Sequence, residues 1–168
     1  MPLYIGVAAA SRPDERLLAA AETLGRRLAE AGAVLVCGGG PGAMAAACRG
    51  ATAAGGTTVG LLPGDDRREG NPYLTVALAT GLGEARNVLL VRASDALVAV
   101  GGGFGTLSEV ALALRTGVPV VGLATWSLAL DGCAVDAFPV AGDPAEAAAL
   151  AVGAARARAA GRPGGPGR

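Results

Sequence analysis

Two glycine-rich turns, Gly38-Gly39-Gly40-Pro41-Gly42 and Gly101-Gly102-Gly103-Phe104-Gly105, are the segments best suited to hold a ligand. Each follows a short apolar run and precedes a helical pattern. A helix start offers unpaired N–H groups and the positive end of its dipole, and glycine lets a phosphate approach the backbone. Two such turns in one chain suggest a phosphorylated ligand, although either alone is also what a tight turn requires. Just beyond the second turn, Thr106-x-x-Glu109 has capping-box spacing, in which each side chain satisfies an orphan N–H at the helix start. The same spacing aims a carboxylate at whatever the turn holds, so both readings stay open. Arg86 is either an exposed helix residue or a cation placed to reach a bound anion, because its helix leads into the strand feeding the second turn.

Absences narrow the chemistry. The 168-residue chain has no His, and all 14 basic residues are Arg. Without Lys there is no Schiff base to pyridoxal phosphate and no P-loop lysine. Without His there is no Ser-His-Asp or Cys-His pair and no imidazole metal site, and no metal is expected. Acid–base work falls to carboxylates, a Tyr, a Cys or bound water. Fourteen acidic residues balance the arginines, leaving no broad field for nucleic acid or an anionic membrane. Cys37, Cys48 and Cys133 lack metal-ligand spacing and read as reduced thiols, small buried hydrophobes in a cytoplasmic protein. The apolar stretch at 3–10 has no positive charge before it and suits a buried strand better than a signal peptide. The stretch at 118–130 falls short of the ~18–20 residues of a membrane span.

Short apolar runs alternate with helical patterns along the whole chain. Strands are expected at 4–8, 34–37, 58–62, 74–78, 96–100, 118–123 and, weakly, 138–140. Helices are expected after Ser11 as cap, with Leu17, Leu18, Ala21, Leu24 and Leu28 on one face, then at 43–54, 82–92 and 106–116. A last helix has Asp143 as cap and Pro144 in its first position. The charged loop at 63–72 is either a lid or a solvated connector. Apolar strands without alternation, separated by helices, imply a parallel sheet covered on both faces. The fold class is therefore α/β, a Rossmann-like doubly wound sheet in three layers. It forms a single domain over residues 1–160, with a Gly/Pro/Arg tail at 161–168 that is expected to be mobile. Gly38, Gly40 and Ala43 also fit the dinucleotide fingerprint G-x-G-x-x-[GA]. However, the match follows the second strand rather than the first, and Leu62-Pro63 stands where a ribose-binding acid is expected.

The second turn resembles the P-G-G-x-G-T-x-x-E signature of the LOG family, Rossmann-like proteins often mislabelled as lysine decarboxylases. Residues 101–109 match it everywhere except Gly101, which replaces the Pro. Residues 38–44 resemble the family's G-G-G-x-x-G-x-M loop, shortened by one residue, and the similarity spans roughly residues 3–123. The resemblance implies hydrolysis of the N-glycosidic bond of nucleoside 5′-monophosphates to free base and ribose 5-phosphate. It implies no required cofactor, and it implies a homodimer. It assigns a catalytic pair to Arg86 and Glu109 and a phosphate and nucleotide site to Gly38, Gly39, Gly40, Gly42, Met44, Gly102, Gly103, Gly105 and Thr106. Glu109 would sit by the ribose, and Arg86 would stabilise charge on the phosphate or the departing base. Two departures bear on this expectation. Arg86-Asn87 stands where the enzymes carry Arg-Lys, and Ser108-Glu109 where they carry Glu-Glu. Residues 81–87, together with Gly101, are similar to a sub-branch related to molybdenum-cofactor carrier proteins, which bind a phosphorylated pterin without needing to turn it over. The expected ligand is a nucleoside monophosphate or a phosphorylated pterin, and hydrolase and carrier both remain open.

Overall fold

The computed structural model describes residues 1–161, so all but the first residue of the tail expected to be mobile at 161–168 lies outside the described residues. The chain runs β1 (Tyr4–Ala9), α1 (Glu15–Glu30), β2 (Val34–Cys37), α2 (Ala43–Ala53), β3 (Thr58–Leu62) and β4 (Val76–Ala79). It continues through α3 (Arg86–Ala93), β5 (Ala96–Val100), α4 (Phe104–Thr116), β6 (Val120–Leu123), β7 (Leu128–Leu130), β8 (Cys133–Val135), β9 (Val140–Ala141) and α5 (Pro144–Gly161). Seven strands pair in the order β4-β3-β2-β1-β5-β6-β9, every pair parallel. The order reverses between β1 and β5. In open parallel sheets such a reversal leaves a crevice at the carboxyl ends of the strands, where ligands bind.

The lack of alternation in the strands has a direct cause. Val7 packs into a core with α1, α2 and α5, while its neighbour Ala8 packs into a second core with α3 and α4. Both sheet faces are covered, so every residue of β5 is buried and must be apolar. Fully buried Leu24, Leu28, Leu35, Leu90 and Leu97 each contribute about 1.5–3 kcal/mol. The first core also needs two glycines. A Cβ on Gly25 would lie 1.9 Å from the Ala47 carbonyl oxygen, and one on Gly50 would lie 1.9 Å from that of Glu22. Helices α1 and α2 therefore cross backbone on backbone.

Several local expectations change. Asp14, not Ser11, caps α1, its carboxylate accepting the Leu17 N–H at 2.8 Å. Asp143 does cap α5, accepting from Ala145 and Glu146, and Gly161, expected to open the tail, is the last residue of that helix. The expected strand at 138–140 is real: β9 extends the sheet beside β6. An antiparallel hairpin, β7–β8, falls within and just beyond the apolar stretch at 118–130. Its turn is Asp131-Gly132, with φ 49° and 75°, a known hairpin signal. No helix among the described residues is long and apolar enough to cross a membrane.

Candidate functional site

Arg86 opens α3 and Glu109 lies in the second turn of α4. The expected helix at 82–92 divides here into a 3-10 turn, Gly83–Ala85, and α3. Helices α3 and α4 pack side by side, and Arg86 Nη1 donates to Glu109 Oε1 at 3.1 Å. The side chains are 14% and 8% exposed. The capping-box reading does not hold. Helix α4 starts two residues early, with Gly103 as N-cap and no side-chain capping bond. Thr106 is thus already inside the helix, and the Glu109 carboxylate turns to Arg86. Burial pushes Glu109 up to about 7 against the pull of Arg86.

The cation of this pair is only half used. Arg86 Nε is buried without a hydrogen-bond partner among the described residues, and an orphan buried donor of this kind is uncommon. The pair borders a cleft of about 330 Å³ that also takes in Met44, Gly105, Thr106, Asn87 and Ser11. The N–H groups of Phe104, Gly105 and Thr106 donate to no carbonyl within the described residues. The cleft wall thus combines a guanidinium with the open start of a helix, an arrangement suited to an oxyanion.

The first glycine turn serves this cleft from beneath. A Cβ on Gly38 would stand 2.3 Å from Arg86 Nη2, so glycine is what lets the guanidinium lie on the turn. The amide of Gly39 donates to Cys37 Sγ at 3.3 Å, and the Gly39 and Gly40 carbonyls accept from Asn71 Nδ2. Gly42, at φ 70°, packs against the Ser11 carbonyl. Of this turn's expected binders only Met44 lines the cleft, and the loop at 63–72 is pinned to the turn through Asn71. Gly102 borders a different cavity, and the Gly103 carbonyl accepts from Trp126 Nε1. Cys37 and Cys48 are buried with sulfurs 3.5 Å apart, whereas Cys133 is exposed on the hairpin. The hydrogen bond to Cys37, then burial, hold the Cys48 thiol above its ordinary range.

Two residues of the site carried no motif signal of their own. Asn87 Nδ2 donates to Ser108 Oγ at 2.8 Å, and Ser108 donates to the Gly105 carbonyl. These are the two positions at which the sequence departs from the Lys and Glu of the LOG enzymes. The structure joins them, so a neutral hydrogen bond stands where those enzymes place two charges. The sole trace in the sequence is that both departures occur together.

A model of the SLOG cluster4 family matches residues 2–148. An uncharacterized protein of Archaeoglobus fulgidus is 43% identical over 123 residues, 72% of this chain and 80% of that protein. The molybdenum cofactor carrier protein of Chlamydomonas reinhardtii superposes with a TM-score of 0.82 at 38% identity, covering 94% of this chain and 99% of that one. The molybdenum cofactor binding protein of Rippkaea orientalis gives 0.80 at 34% identity, covering 89% and 95%. The chain belongs to the SLOG cluster4 family.

Proposed function

We propose that the protein is a non-catalytic carrier of a phosphorylated pterin of the molybdenum-cofactor class. The observation that carries the reading is the Arg86 guanidinium, its buried Nε unpartnered among the described residues, in the wall of a cleft beside unspent helix amides. A phosphate there would pair with the Arg86 cation and meet the open amides at the start of α4. The solved structures named for molybdenum-cofactor binding share this fold over nearly the whole chain. The molybdenum centre is then cargo, and the protein itself requires no resident cofactor. The N-glycosidase reading has less support, because the Asn87–Ser108 pair replaces charges that flank the catalytic pair in the enzymes it resembles.

The test is retention. Cofactor released from a molybdenum enzyme is mixed with the protein and gel-filtered, and the pterin is quantified by its fluorescence after oxidation. Pterin should co-elute with the wild type and be lost with Arg86→Ala. In parallel, AMP incubated with the protein should give no free adenine. Adenine release that disappears in Glu109→Ala would restore the hydrolase reading, and failure to retain pterin would remove the carrier.

We also propose a homodimer. The outer face of α3 exposes Val88 and Leu89, with Leu82 just ahead of it and Phe104 83% exposed nearby. Apolar groups gathered in this way mark an association surface. Light scattering at the monomer mass would refute it.

A further inference from the structure

We infer that the Arg86 cleft is one arm of a bipartite site whose second arm, on the far side of the Gly101–Gly105 turn, takes the other half of a pyrophosphate-linked dinucleotide. The inference rests on the proposed phosphate anchoring at Arg86. It begins from the two cavities at the sheet reversal. The second, of about 780 Å³, is bordered by Ala10, Gly101 and Gly102, whereas the Arg86 cleft is bordered by Ala9, Ser11, Gly105 and Thr106. The two therefore flank the same pair of turns, those leaving β1 and β5. Small-molecule sites span about 300–1,000 Å³. The 330 Å³ arm has room for one compact phosphorylated unit, and the larger arm leaves space for another.

The chemistry of the second arm matches such a unit. Arg12 and Arg16 line it, and neither makes a hydrogen bond or ion pair among the described residues. The carboxylates in the same wall are already engaged, Asp14 by the Leu17 amide and Asp143 by those of Ala145 and Glu146. The side-chain donors left free for a ligand are the two guanidinium groups, and the remaining wall around Leu17 and Leu123 is aliphatic, which suits a flat ring. Between the arms, the amides of Gly102 and Gly103 make no hydrogen bond within the described residues. A bridging pyrophosphate would meet them there.

The ridge between the arms is also held in shape. Gly101 takes φ 68°, and a Cβ there would meet Leu17 at 2.3 Å. The Thr125 hydroxyl donates to the Gly101 carbonyl, next to Ala124 at φ 49°. A non-glycine residue in the left-handed region is strained and persists only where its surroundings enforce it. The loops after β5 and β6 are thus locked together around the cavity.

Trp126 is the one tryptophan of the chain and donates to the Gly103 carbonyl, so its fluorescence reports on the ridge. The probes are GMP and diguanosine pyrophosphate, because guanine shares the amino-oxopyrimidine ring of pterins and the two molecules carry similar net charge. Wild-type protein should bind the dinucleotide at least tenfold more tightly than GMP. The exposed double substitution Arg12→Ala/Arg16→Ala should abolish that advantage and leave GMP affinity within twofold. Arg86→Ala should weaken both. GMP binding with no preference for the dinucleotide, or a preference that survives the double substitution, overturns the inference alone. If neither probe binds and inorganic phosphate does not bind either, the Arg86 reading falls with it.

Discussion

Substitution of Glu109 by Gln tests whether the buried pair sits in a dry, anion-accepting cleft. A carboxyl whose pKa is raised on folding holds its proton more readily in the folded state than in the unfolded chain. Its stabilising contribution is complete below the ordinary value of 4.5 and is lost as pH rises through about 7. At about 1.4 kcal/mol per pH unit, the wild type should lose about 3 kcal/mol from this group between pH 4.5 and pH 8. The Gln side chain keeps the acceptor for Arg86 and cannot titrate. The chain has no His to titrate in this window, and the Cys37–Cys48 pair is common to both proteins and cancels in the comparison. Urea unfolding at several pH values between 4.5 and 8 measures the difference directly. The two stability curves should diverge as pH rises, with Glu109→Gln the more stable protein at pH 8 by about 3 kcal/mol. Parallel curves, or a variant less stable at pH 8, would refute the account of Glu109 as a desolvated acid that its ion pair does not fully compensate. Binding of sulfate, which does not titrate in this range, should also take up protons at pH 7.5 in the wild type and none in the variant, since an anion beside Glu109 raises it further.

Three further outcomes follow from the geometry. Gly38→Ala places a methyl group 2.3 Å from the Arg86 guanidinium; the flexible side chain can yield, so the melting temperature should hardly move while phosphate affinity, measured by calorimetry, drops at least tenfold. Gly50→Ala gains about 1 kcal/mol in helix propensity. It nevertheless drives a Cβ to 1.9 Å from the Glu22 carbonyl oxygen, and the overpacking of α1 on α2 should dominate, lowering the melting temperature by about 5 °C or more in a thermal scan. Thiol titration with a disulfide reagent should find one prompt group in the native protein, Cys133, and all three in denaturant. Prompt reaction of Cys37 or Cys48 would mean that the floor of the first glycine turn opens.

Several elements are legible in the sequence because their physics is local or one-dimensional, although the caps of α1 and α4 are not. Val34–Cys37, Ala96–Val100 and, after its polar first residue, Thr58–Leu62 lack polar alternation because both faces of each strand are covered, and their bounds are visible in the sequence. Asp143-Pro144 marked the start of α5 because a cap and its proline act within one turn. The β7–β8 hairpin escaped because its exposed strands are short and their apolar residues merged with the end of β6. The Asp131-Gly132 pair was the available signal.

The sequence by itself determined the doubly wound class, the two turns and the exclusion of Lys and His chemistry, since composition and periodicity are properties of the chain alone. Only the tertiary structure decided what Glu109 does. From spacing, capping and ligand-facing roles were equally available, and the choice depended on where α4 begins and on α3 lying beside it. It also decided that the first glycine turn supports Arg86 from below, and that Asn87 and Ser108, 21 positions apart, form one hydrogen bond. Those facts depend on how separate helices pack, and no local pattern of residues encodes the distance between side chains on different elements.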